Sequence, residues 1–120
     1  TAMAEAALEK KAFDLAILDL QSLVAFTDLF VVCSATNRRQ VRAVADEVCR
    51  VAKREYGLVP AGVEGLEAGR WVLVDLHSVV VHIFDQSLRG FYDLDGLWGD
   101  APRLATPETG QTGEDSLFTL

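Results

Sequence analysis

The sequence predicts an α/β protein: a mixed β-sheet of about five strands with helices packed on it. Three observations carry that expectation. Apolar residues recur at helical spacing from Val41 to Ala52. Two β-rich runs, residues 70–76 and 79–84, are joined only by the polar pair His77-Ser78. The whole order reads helix, strand, strand, helix, strand, strand, strand, helix.

Residues 4–13 are strong helix formers. Residues 15–20 form an apolar run of strand length, and residues 29–34 a second, more thoroughly apolar one. The clearest element follows. Asn37, with Gln40 three positions on, makes a capping pair, Thr36 being the other cap candidate. Val41, Val44, Ala45, Val48, Val51 and Ala52 then share one helical face, and Gly57 stops the helix. Residues 58–63 contain Pro60, which confines them to an edge strand or extended segment. Residues 64–69, with two glycines, make a turn, and the next two runs an antiparallel hairpin. Residues 91–98 are expected to form a short helix, and Pro102 to end the regular pattern. One α/β domain over residues 1–104 and a flexible polar tail over residues 105–120 complete the expected organisation.

Half of the 120 residues are hydrophobic, enough to bury roughly two-thirds of the unfolded surface without a metal or disulfide. The longest aliphatic run is far too short to cross a membrane, and the N-terminus lacks the pattern of a secretory signal. Cys33 and Cys49 have no C-x-x-C spacing and fit reduced structural thiols. These features lead to the expectation of a soluble cytoplasmic protein.

The net charge of −7 is unevenly spread. Arg38, Arg39, Arg42, Arg50, Lys53 and Arg54 give the stretch 38–54 a local excess of +4 against Asp46 and Glu47, so the rest of the chain is strongly acidic. An acidic domain repels phosphate over most of its surface and suits a basic protein partner better. The basic helix could still border RNA at that partner's edge.

Alternation along the hairpin separates two faces. Val72, Val74, Val79, Val81 and Ile83 form an aliphatic set expected to be the core face. The opposite set holds Trp71, Leu73 and Asp75 on the first strand and Val80, His82 and Phe84 on the second. Large aromatics mixed with a few ionisable groups fit the centre of a protein interface. The same pattern also fits a face covered by one of the chain's own helices. Tyr92, Asp93, Trp98 and Asp100 are expected at its margin, and Arg38, Arg39 and Arg42 form a second contact candidate beside a solvated helix face.

Catalytic readings fit poorly. The glycines at 65 and 69 are followed by neither a lysine nor a helix, as a phosphate loop requires. His77 and His82 lie five apart on and beside a strand and point to different faces, so with Asp75 they make an awkward metal site. No G-x-S-x-G motif strains a nucleophile into a turn. Asp93 and Asp95 stand where two acids complement a helix dipole. No cofactor, metal or catalytic residue is assigned.

Five blocks in order resemble the ribosomal silencing factor family, also called the Iojap family. They are Thr27-Asp28-Leu29-Phe30-Val31-Val32-Cys33-Ser34 with Asn37-Arg38-Arg39-Gln40-Val41-Arg42-Ala43-Val44-Ala45-Asp46; Glu64-Gly65 with Gly69-Arg70-Trp71-Val72-Leu73-Val74-Asp75; Val80-Val81-His82-Ile83-Phe84; Phe91-Tyr92-Asp93-Leu94; and Leu97-Trp98-Gly99-Asp100-Ala101-Pro102. The resemblance covers roughly residues 8–104, with the quoted blocks running from Thr27 to Pro102.

The resemblance implies a nucleotidyltransferase-like fold without the catalytic equipment. The residues agree, since Asp75-Leu76-His77 offers one carboxylate where magnesium chemistry needs a pair. Ala35 stands where the family often has glycine. The resemblance further implies a translation repressor. It would bind the large ribosomal subunit through a basic ribosomal protein at the subunit-joining face and hinder association with the small subunit. Two other readings remain open on the residues alone: a nucleotidyltransferase-derived enzyme or nucleotide-binding protein, and a homo-oligomeric adaptor. Self-association, including a homodimer of the free protein, is compatible with the leading reading as well.

Overall fold

A computed structural model describes residues 2–24, 27–89, 102–104 and 106. Their elements run α1 (Ala2–Glu9), β1 (Phe13–Asp19), β2 (Leu29–Ala35), α2 (Arg38–Tyr56), β3 (Gly62–Glu64), β4 (Trp71–Asp75), β5 (Val79–Asp85), α3 (Gln86–Arg89) and β6 (Arg103–Leu104). The strands make one mixed sheet in the order β3-β4-β5-β2-β1-β6. Only β2 and β5 pair in parallel; the other neighbours are antiparallel.

α2 is terminated at both ends by local chemistry. The Asn37 side chain accepts from the Gln40 amide at 2.9 Å. Gly57 adopts the left-handed conformation, φ 65°; its N–H donates to the carbonyl of Lys53 and the following Leu58 N–H to that of Ala52. Val41, Val44, Ala45, Val48, Val51 and Ala52 all point into the core. There they meet Val31, Val72, Val74, Val81 and Ile83 from the sheet and Met3, Ala4, Ala6 and Ala7 from α1. Each fully buried valine contributes about 1.5–3 kcal/mol relative to exposure. The aliphatic hairpin face is therefore the core face, as its alternation requires, with Val79 packed at its margin.

The structure differs from the sequence reading in four places. α1 ends at Glu9 and β1 begins at Phe13, because Lys11 at φ 70° reverses the chain before the helical composition runs out. β3 is Gly62–Glu64 and not residues 58–63; Leu58 and Val59 are exposed. Its place at the end of the strand order is the edge position that Pro60 demands. α3 follows β5 directly, started by the Asp85 carboxylate accepting from the amide and hydroxyl of Ser87. Arg103–Leu104 forms a sixth strand beside β1, held by backbone pairing that residue type does not announce. The helix expected over residues 91–98 lies outside the described residues, as does the tail apart from Thr106, which is buried.

Candidate docking face

The sheet has a second apolar cluster on the face away from α1 and α2. Leu18, Leu20, Phe30, Val32, Val80 and Phe84 are buried in it, with Trp71, Leu73 and Leu88 packed against them. Register explains the grouping: Trp71 stands opposite Phe84, Leu73 opposite His82 and Asp75 opposite Val80. The six residues singled out on the hairpin are thus one contiguous patch.

They are not equally accessible. Phe84 is 0%, His82 4% and Val80 6% exposed, whereas Trp71, Leu73 and Asp75 are half-buried. Of the six, the three on β4 are the ones that keep appreciable exposed surface. The reason is strand order: β5 lies between β4 and β2 in the sheet interior, while β4 has only the three-residue β3 outside it. Tyr92, Asp93, Trp98 and Asp100 lie outside the described residues.

The aromatic groups are interlocked. The Trp71 and Phe84 rings stack with centroids 5.1 Å apart and planes 20° from parallel. Phe30 meets His82 edge to face at 4.5 Å. Trp71 Nε1 donates to His82 Nδ1 at 3.2 Å. An accepting Nδ1 places the proton of the neutral imidazole on Nε2, which is buried with no hydrogen-bond partner among the described residues. Burial lowers the His82 pKa to about 4, so the ring is uncharged at neutral pH.

The structure adds Glu64 to the site. It pairs in register with Leu73, and Gly62 with Asp75, so Glu64 and Asp75 flank Leu73 on the same face. Glu64 is exposed and forms no ion pair among the described residues. Asp75 Oδ1 accepts from the His77 amide at 2.9 Å, which fixes that carboxylate at the hairpin end. Reading residue 64 as part of a turn hid this neighbour; only the β3–β4 register reveals it.

The basic helix is largely committed internally. Arg42 Nε donates to the Leu66 carbonyl at 2.9 Å, and its Nη2 to that of Glu67 at 2.6 Å. Arg42, although exposed, thus clamps the turn between β3 and β4. Arg50 grips both oxygens of Glu47, and Arg54 pairs with Glu55. Arg38 and Arg39 remain exposed without an ion pair among the described residues.

Among the described residues no three His, Cys, Asp or Glu side chains converge as a metal site would require, and no helix is long and apolar enough to cross a membrane. Cys33 is buried in the core, and Cys49 is half-buried on α2 with its thiol pKa raised by burial and then by Asp46.

By fold this is a mixed α/β protein with a helix-covered sheet face and an aromatic one, and that architecture has close parallels. A crystal structure of a Chromobacterium violaceum protein superposes with a TM-score of 0.77 at 32% identity, covering 92% of this chain and 91% of that one. The family model described as "Ribosomal silencing factor during starvation" matches residues 1–117, beyond both ends of the motif blocks. Ribosomal silencing factors of Halalkalibacterium halodurans and Bacillus subtilis are each 42% identical to it. The first alignment covers 80% of this chain and 81% of the relative; the second covers 78% and 79%. The chain belongs to the ribosomal silencing factor family, a class of ribosome-associated regulators of translation and not of enzymes.

Proposed function

We propose that the protein represses translation by steric blockade. In the cytoplasm it docks the β4 side of its aromatic face onto a basic protein of the large ribosomal subunit, at the surface where the small subunit joins. One observation carries this reading: the half-exposed Trp71 and Leu73 stand on a rigid strand bracketed by the carboxylates of Glu64 and Asp75. A large aromatic at the centre supplies affinity, and rim carboxylates select a lysine- or arginine-rich partner and speed encounter. Val80, His82 and Phe84 support the patch from beneath. Arg38 and Arg39, exposed at the start of α2, are available to ribosomal RNA at the partner's edge.

The test is sedimentation with purified subunits in a sucrose gradient. The protein is expected to travel with the large subunit and to reduce the joined-ribosome peak. Trp71→Ala, folded by circular dichroism, is expected to weaken binding by about 30-fold, the effect of losing about 2 kcal/mol at an interface centre. Co-sedimentation of Trp71→Ala at wild-type levels overturns the assignment of this face.

A further inference from the structure

We propose that His82, although sealed below the surface, is a positioning residue for docking: its Nδ1 selects which edge of the Trp71 indole a partner meets. The inference rests on the docking reading above and names the part of the site that prepares it.

Stacking on Phe84 restrains the plane of the Trp71 ring but not its flip about the Cβ–ring bond, which keeps the plane and exchanges the edge that carries Nε1. The bond from Trp71 Nε1 to His82 Nδ1 favours one of the two flips. It directs the single polar atom of the indole toward β5. A buried or half-buried indole N–H seeks an acceptor. Without Nδ1 the N–H loses this acceptor and the flip is no longer selected, so a different edge of the ring can meet the partner.

His82 is itself held well enough to serve as a reference point. It is 4% exposed, wedged edge to face against Phe30, and paired in register with Val32 on β2 and Leu73 on β4. A phenylalanine would fill the same space without accepting a hydrogen bond. An asparagine would place its Oδ1 close to the position of Nδ1 and restore the acceptor with less bulk.

The test therefore compares His82→Phe with His82→Asn in the full chain. At neutral pH the ring-nitrogen shifts of wild-type His82 are expected to show a protonated Nε2 and an unprotonated Nδ1. The Trp71 indole N–H resonance, assigned by its loss in Trp71→Phe, is expected to be slow to exchange in wild type and His82→Asn and fast in His82→Phe. Binding to large subunits is expected to fall about tenfold in His82→Phe, the effect of one hydrogen bond, and to recover in His82→Asn. Should His82→Phe fail to fold, the ring-nitrogen shifts and the indole exchange in His82→Asn decide.

An unchanged indole resonance in His82→Phe, or wild-type docking by that variant while Trp71→Ala loses it, overturns the role of His82 and leaves the docking face standing. Wild-type docking by Trp71→Ala instead overturns the face, whatever the indole resonance shows.

Discussion

The backbone of Gly65 crosses so close to the carbonyl oxygen of Trp71 that a Cβ on residue 65 would overlap it. Residue 65 is also left-handed, at φ 89°, so a side chain there is opposed by both conformation and space. This crossing lets β3 fold back on β4 and sets Glu64 beside Leu73. Gly65→Ala is expected to destabilise the fold by about 2 kcal/mol or more, measured as a lower urea midpoint. Gly62→Ala, in open space on β3, is expected to change stability by about 0.5 kcal/mol or less.

Arg42 closes the same turn from the other side. Its two donors satisfy the carbonyls of Leu66 and Glu67, and Gly69 packs against the stem of neighbouring Arg38. Arg42→Met keeps the stem and removes the fork, and is expected to cost about 1–2 kcal/mol in thermal denaturation. Lysine should rescue little, since one ammonium does not reproduce the planar pair of donors. Arg39→Ala is expected to leave stability unchanged.

Acid should weaken the fold through His82. An unfolded histidine titrates near pH 6.5, whereas burial holds the native ring near 4. Between those values the unfolded chain binds the extra proton, so this group's contribution is complete above about pH 6.5 and is lost as pH falls toward 4. The expected loss from His82 alone is about 2 kcal/mol between pH 7 and pH 5. Urea denaturation at the two pH values should show it in wild type. In His82→Phe the pH dependence should shrink by that amount; equal slopes would mean that His82 is already accessible to protons.

The caps of α2 offer the simplest check. Asn37→Ala removes the acceptor for the Gln40 amide, and Gly57→Ala puts a side chain in the left-handed region. Each is expected to cost about 1 kcal/mol, read from thermal melts by circular dichroism, and Asn37→Asp to be tolerated.

Much of this architecture was legible in the residues because it is local. The span of α2 followed from its periodic valines and two caps, and the division of the hairpin into an aliphatic and a mixed face followed from alternation alone. β6 and α3 were not legible, being a two-residue backbone pairing and a single turn without a hydrophobic period. Glu64 escaped notice because β3 is three residues long and takes its meaning from its neighbour.

The sequence by itself determined which residues share a face, since side-chain direction repeats every 2 residues in a strand and every 3.6 in a helix whatever surrounds them. Only the tertiary structure decided which of them meet solvent. Placing β5 inside the sheet and β4 near its edge buried His82 and Phe84 and left Trp71 half-exposed, because strand order depends on pairings between distant segments. Arg42 is the same lesson in one side chain: its charge suggests a partner, and a turn 24 residues further along the chain takes up its donors first.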